Sequence, residues 1–514
     1  MIARVFIYKF SILVFLNLSN LTVAGQENPN IGARATSMGG NYRSIATDWS
    51  AMYWNPAGLS FLQGWSTGFS LEYIMLRPSF KPGDSHYFNL NGGESFQPFS
   101  ATYTTTRDGE PLNFFVPSIG ISYSPDGKWA FGLGMWVPMA LGVRWDLLDT
   151  HGSTNGKGIY NTAYPDIEYE VNMQVIDLQP TVSYRINDKL SAGIGIGILF
   201  GKLGIRRPAY LQNPYLYDET LYNTLLSISD QTQTETLDQM RLPPFDHLVN
   251  EIEMKGSGVT FGGNFGLMYK PTEKLSIGAT IQVNKELKIS GDYKQTAYFG
   301  DNEDFDALTR YYDERIFARL FNNGLLDEQN YQVISRFYSG QVLSLENTKA
   351  STKVPLPVKA GMGISYSGVE NLILAADVNF MKWSSWDTLP VRGENNVRIS
   401  ELVLKWKNSI KAGVGAEYKS KIATFRTGFS IETHPPIDET ISPAIPEIGH
   451  HNNFDIGIAF NLFGGLLSIN YHKIFIAERT VENWTYDQMG VALNMAGTYT
   501  MNVQSLMIGY DYKF

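Results

Sequence analysis

The chain has 514 residues with 41 Lys+Arg against 50 Asp+Glu, and a formal net charge of −9 offers no electrostatic footprint for nucleic acid. Cys is absent, so disulfides, thiolate metal sites and cysteine nucleophiles are excluded. Only 18% of residues are charged, while 29 Tyr, 29 Phe, 10 Trp and 48 Gly are present, a balance that suits sheets and membrane interfaces better than helical bundles.

Residues 1–24 read as a cleavable export signal. Arg4 and Lys9 supply a basic start, Phe10 to Leu18 a short apolar run, and Thr22-Val23-Ala24 a cleavage point before Gly25. That run is too short for a spanning helix. The longest later candidate, Trp129 to Val143, is interrupted by Gly and Pro, so no helical membrane protein is expected. Residues 25–64 follow, rich in Gly, Ala and Ser, too few for a domain and without strand alternation.

From residue 65 onward apolar and polar residues alternate with period two. Leu275, Ile277, Ala279, Ile281 and Val283 share one face against Ser276, Gly278, Thr280 and Gln282. Ile194, Ile196 and Ile198 likewise oppose Gly193, Gly195 and Gly197. Fourteen such segments are expected, at 65–77, 113–124, 128–140, 170–185, 189–203, 256–270, 274–289, 354–367, 371–384, 400–418, 421–434, 450–462, 465–477 and 501–514. Each is long enough for a tilted strand to cross a bilayer. In 170–185 the apolar face switches between Val175 and Ile176, which suggests a bulge.

Short turns such as Ser124-Pro125-Asp126-Gly127 alternate without exception with long connections at 78–112, 141–169, 204–255, 290–353, 385–399, 435–449 and 478–500. Sorting of loops by length onto two ends is expected of an antiparallel barrel in an outer membrane, with apolar residues facing lipid and polar residues or glycine facing the lumen. A soluble sandwich alternates too, but its loops do not sort this way. The fold class predicted is therefore all-β: a 14-stranded antiparallel transmembrane β-barrel over 65–514. The aromatic terminal strand ending at Phe514 has the form read by barrel-insertion machinery.

The stretch 25–64 carries Gly32-Ala33-Arg34, Met38-Gly39-Gly40 and Asn55-Pro56-Ala57-Gly58-Leu59. It resembles the N-terminal hatch of FadL/TodX-type outer-membrane transporters of long-chain fatty acids and hydrocarbons. Trp129-Ala130-Phe131-Gly132-Leu133-Gly134 with Pro138 is similar to the family's third strand. Phe380-Met381-Lys382-Trp383-Ser384-Ser385-Trp386 and Arg426-Thr427-Gly428-Phe429 resemble later motifs, while Pro446 to His451 departs from the pattern. The resemblance implies a hatch filling the lumen, passive uptake of apolar molecules, lateral release where the third strand kinks inward, outer-membrane lipids as surroundings, and a monomer with no cofactor. The hatch motif Asn55, Pro56 and Ala57 is then structural. Trp136 and Pro138 stand at the lateral gate, because proline withdraws a ladder donor; alternatively, Pro138 simply ends its strand.

Helical spacing in 301–335 puts Phe305, Ile316 and Leu320 on one face, and Leu221 and Leu225 repeat similarly in 217–240. By the resemblance these partly helical loops form an external groove for ligand; by themselves they equally cap the barrel. Inward charges are expected at Glu72, Asp177, Lys359, Asp377, Lys411, Glu417, Arg426, Glu432, Asp455 and Asp511, most of them paired with one another or with the hatch. Lys359 and Arg426 are candidate partners for a ligand carboxylate. Gly193, Gly195 and Gly197 face inward together and leave room for the hatch or, alternatively, for a ligand tail.

Catalytic signals are poor: H-E-x-x-H, G-x-S-x-G and P-loop motifs are absent. His450 and His451 would chelate one ion only outside an extended strand, and no metal site is assigned. His472 alone lies mid-strand facing inward, with no Ser or Asp partner identifiable. A polar porin or structural barrel is the main alternative function, and an outer-membrane enzyme a third.

Overall fold

In the computed structural model of the chain, residues 30–82, 107–109, 112–145, 169–212, 247–298, 343–443, 449–488 and 491–514 are described, with scattered positions between 223 and 332. Residues 1–24, Leu221, Leu225, Phe305 and Ile316 lie outside the described residues, and Leu320 falls in the short helix Ala318–Asn322.

The barrel consists of β1 (Gly64–Pro82), β2 (Leu112–Ser124), β3 (Trp129–Trp145), β4 (Tyr169–Arg185), β5 (Leu190–Gln212) and β6 (His247–Tyr269). It continues through β7 (Leu275–Asn284, resuming as Leu287–Tyr298), β8 (Leu343–Val354, resuming as Lys359–Val369), β9 (Leu372–Met381) and β10 (Ser409–Lys419). β11 (Thr424–Glu432), β12 (His451–Leu462), β13 (Gly465–Ile476) and β14 (Gly497–Lys513) complete it. β1 pairs with β14 from Ser66↔Lys513 to Pro82↔Gly497, so the 14-stranded antiparallel sheet closes on itself. Each of the fourteen predicted segments overlaps one of these strands, 400–418 only from Ser409 onward.

Near the short turns the barrel presents its apolar face outward: Ile196 is 55% exposed and Phe261 56%. Toward the long loops the polarity of the two faces reverses while the faces themselves do not. In β4 the buried inward row runs Val171, Met173, Val175 and then Asp177, Gln179, Thr181, Ser183. Its ladder with β5 keeps one register from Glu170↔Arg206 to Arg185↔Ser191. The bulge expected at Val175 and Ile176 is therefore absent. What changes there is the surroundings. Below this level the wall faces lipid outside and a polar hatch inside; above it, water outside and an apolar interior.

The same reversal explains why strand ends were read as loops. β5 runs to Gln212 and β6 starts at His247, inside the segment 204–255, and β3 continues to Trp145. The segment 400–418 is instead broken: Arg398–Val403 pairs with Thr388–Gly393 as a hairpin, Lys405 takes a positive φ of 49°, and β10 begins at Ser409. No helix among the described residues is long and apolar enough to span a membrane.

Candidate functional site

The hatch runs from Asn30 to Leu62 through α1 (Ala33–Ser37), α2 (Ala51–Trp54) and a 3-10 turn at Pro56–Phe61. Helices this short are not stable alone in water, and the barrel holds them. Asn55 is the central clamp. Its Oδ1 accepts from Ala57 N (3.2 Å), and its Nδ2 donates to the carbonyls of Arg43 (2.8 Å) and Leu267 (3.0 Å). Pro56 opens the 3-10 turn, where a missing N–H costs nothing. The Ala57 carbonyl accepts from Ser183 (3.1 Å) and Ser191 (2.9 Å), so the Asn55-Pro56-Ala57 motif is stitched to three strands.

Glycines in the wall make this approach possible. A Cβ on Gly193 would lie 2.4 Å from the Pro56 carbonyl carbon, and one on Gly428 2.2 Å from Gly39 N. Gly195 and Gly197 make room for a different reason: the side chains of Gln179 and Asp177, on the neighbouring strand, fold across them.

Five of the ten expected inward charges meet the hatch directly, four of them carboxylates. Glu417 takes a bidentate pair from Arg34 (2.7 and 2.8 Å) and a third bond from Arg426 Nε (2.7 Å). Asp377 accepts from Arg43 NH1 (3.2 Å), Asp511 from Trp49 Nε1 (2.7 Å) and Glu72 from Asn30. Arg426 is only 4% exposed and also donates to Ser468 (3.2 Å). It sits within the anchoring network, away from any open space. Within the hatch, burial raises the Tyr42 hydroxyl pKa well above its ordinary value, and the neutral phenol donates to Asp48 (2.5 Å).

Lys359 occupies a different position. Its Nζ donates to the Tyr53 hydroxyl (3.3 Å) of the hatch. The Tyr53 ring in turn meets Trp136 edge-on, centroids 5.8 Å apart.

At Trp136 the wall changes. Residues 136–143 are all buried, so the alternation of β3 is lost there. Opposite Ile176 the register with β4 shifts between Trp136↔Asp177 and Met139↔Val175, leaving Val137 and Pro138 as a bulge. Pro138 is therefore mid-strand and does not end it. On the other side, the ladder between β2 and β3 covers only Ile119↔Met135 to Tyr123↔Phe131 among the described residues, although β2 pairs with β1 back to Leu112. Leu112 to Ser118 thus form a local edge within a closed barrel, and Pro117 lies in it, where a strand lacking an N–H is tolerated.

Above the hatch the strand lines an apolar chamber. Leu141, Met173, Ile252, Met254, Tyr293 and Trp386 face one another around about 70 Å³ of open space. Trp386 packs with Trp383 (5.2 Å) and Trp406 (4.8 Å) at its rim, which gives the Trp-Ser-Ser-Trp motif a structural role. One cation reaches this lining: Arg207, which donates to the Glu401 carbonyl (3.2 Å) and pairs with no carboxylate among the described residues. Sequence reading missed Arg207 because it fell in a presumed loop; the odd-numbered row Leu203, Ile205, Arg207 was the available signal.

His472 also has a partner that sequence did not reveal. Its Nδ1 lies 2.9 Å from Asp455 Oδ1, an in-register cross-strand neighbour. The next residue in that row, Ser505, donates to Glu72. His450 and His451 diverge: His451 is buried at the start of β12, and the exposed His450 stacks edge-on with His434 (4.6 Å).

A family model described as outer membrane protein transport protein (OMPP1/FadL/TodX) matches residues 22–514. Outer membrane protein P1 of Haemophilus influenzae is 25% identical over 237 residues, covering 46% of this chain and 48% of that protein, so the chain spans about half the length of this curated relative, and about a third (32%) of a second P1 sequence. Among solved structures, a Pseudomonas aeruginosa FadL homologue superposes with TM-score 0.67 at 18% identity, covering 96% of this chain and all of that one. The P. putida toluene transporter TodX gives TM-score 0.61 at 16% identity over 94% and 98% of the two chains. With its plugged 14-stranded barrel and a family match over nearly its whole length, this chain belongs to the OMPP1/FadL/TodX family of bacterial outer-membrane proteins.

Proposed function

We propose that the barrel takes up hydrophobic small molecules from outside, holds them in the apolar chamber above the hatch, and releases them sideways into the membrane between β2 and β3. The observation that carries this reading is the β3 bulge: the strand loses its ladder to β2 just before it, and just after it brings Leu141 to the chamber lining with Met139 and Val143 packed around it. Below the chamber the lumen is filled by the hatch, which disfavours a polar porin.

The energetics fit an amphiphile. Transfer of each methylene from water into the chamber is worth about 0.8 kcal/mol. A charged head entering the same space is costly unless a charge-assisted hydrogen bond meets it. We assign that contact to Arg207. Arg426, committed to Glu417, serves to seat the hatch, and Lys359 couples the hatch to the bulge through Tyr53. Leu221, Leu225, Phe305, Ile316 and Leu320 are proposed to capture ligand before it reaches the chamber. Long-chain fatty acids suit Arg207; aromatic molecules such as toluene, for which TodX and the Ralstonia pickettii TbuX are transporters, suit Tyr293 and Trp386.

Native mass spectrometry of the purified protein tests this reading. A bound hydrophobic molecule is expected, and it should be lost from a Leu141→Trp/Met173→Trp variant whose chamber is filled. Retention by that variant would place the ligand elsewhere.

A further inference from the structure

A second polar site lies on the outer wall, at the level where the two faces reverse. The last strongly lipid-facing pair on β5 and β6 is Phe200↔Val259, 45% and 54% exposed. One step further along the same face, about 7 Å higher, comes Lys202↔Ser257, then Gly204↔Lys255, then Arg206↔Glu253. Lys202, Gly204, Arg206, Lys255 and Ser257, with Glu170, Asn172 and Gln174 of β4, line an open groove of about 400 Å³.

The charges in the groove are unevenly satisfied. Arg206 is surrounded by Glu170 (3.7 Å), Glu251 (3.4 Å) and Glu253 (3.6 Å), and Lys255 also reaches Glu253. Arg144 lies 3.8 Å from Glu170. Lys202 is exposed and has no carboxylate partner among the described residues. Gln174 is 6% exposed, yet its Nε2 has no hydrogen-bond partner among the described residues. An unsatisfied buried donor costs about 1–3 kcal/mol and marks a place where an acceptor belongs. A Cβ on Gly204 would meet nothing closer than 3.9 Å, so the floor is open.

We propose that this groove binds the phosphorylated headgroup of an outer-leaflet glycolipid, its phosphate between Lys202 and Lys255 and an oxygen accepting from the Gln174 amide. Depth favours a lipid over a soluble anion: acyl chains below such a headgroup would lie on Phe200, Val259 and Phe261, and cations at this height attract anionic headgroups. The site rests on the barrel's placement in the membrane and is independent of what the chamber carries.

The test uses the full-length protein in phosphatidylcholine nanodiscs containing bis-phosphorylated lipid A, with retained lipid A quantified by mass spectrometry after detergent exchange. A Lys202→Gln/Lys255→Gln variant should retain about tenfold less than wild type, Lys202→Arg/Lys255→Arg should restore retention, and dephosphorylated lipid A should be retained poorly by all three. Heat-modifiable migration on gels confirms that each variant is folded. Equal retention by wild type and the Gln variant would overturn the proposal. Efficient displacement of lipid A by millimolar inorganic phosphate would also overturn it, because the site would then be one for free anions.

Discussion

Tyr53 of the hatch and Trp136 of the wall meet edge to face, 5.8 Å between centroids and 75° between planes, next to the bulge at Val137 and Pro138 in β3. The contact ties the plug to the bulge, and Trp136 has no exposure at all. Trp136→Ala should therefore cost about 3–5 kcal/mol, read as a lower urea midpoint, and should raise ion leak across planar bilayers. Tyr53→Phe, which keeps the ring that meets Trp136 and removes the hydroxyl that Lys359 reaches, should leave conductance near wild type.

Glu417 holds two guanidiniums, those of Arg34 and Arg426. Glu417→Ala leaves both without their carboxylate, and breaking a buried pair from one side costs about 3–5 kcal/mol. Limited proteolysis should then cut between residues 30 and 62 at rates wild type never shows. Replacing all three groups with Met or Leu should recover much of the loss. If the single variant were as resistant as wild type, Arg34 would have to be held by other contacts.

Gly193 tests the fit of hatch to wall. A methyl group there meets Pro56 backbone at 2.4 Å, and backbone yields poorly. Gly193→Ala should destabilise by about 1–3 kcal/mol, while Gly204→Ala, in open space, should be close to neutral in the same melt.

His434 lies in the external connection after β11. Burial, with Arg479 and His450 nearby, pushes its pKa down to about 4 from the ordinary 6.5. The unfolded chain therefore takes up a proton between pH 6.5 and 4 that the folded chain refuses. This contribution is complete above pH 6.5 and lost as pH falls toward 4. Melting temperature should decline over that window in wild type and less steeply in His434→Gln.

Lipid drives the legible part of the sequence. Strands facing hydrocarbon must alternate cleanly, so Ile194, Ile196 and Phe200 against Gly193, Gly195 and Gly197 announce themselves, and the number and order of strands follow. Above the membrane the same strands face water outside and an apolar chamber inside. Alternation persists there with opposite sign, which is why Val175–Ile176 looked like a bulge and Leu203 to Arg207 like a loop. The real bulge, at Val137 and Pro138, lies in a run buried on both faces, where no periodicity exists to be broken. Candidate site residues were harder still. Inward charge at Lys359 and Arg426 was readable, but what receives it was not: Lys359 meets Tyr53 from 306 residues away, and Arg426 shares Glu417, nine residues off, with Arg34 of the hatch, 383 residues from that carboxylate.

Release through the wall is the claim on which the transport reading stands, and the natural chain, having no Cys, allows it to be tested by closing the opening. Val116→Cys and Val137→Cys place one thiol on each side of the unpaired segment, to be bridged by a short cleavable dithiol-reactive linker. With a fluorescent fatty acid supplied outside reconstituted vesicles, the account predicts that linking abolishes transfer into the bilayer, leaves quenching by the chamber tryptophans intact, and is reversed by cleaving the linker. Undiminished transfer with the linker in place would contradict it.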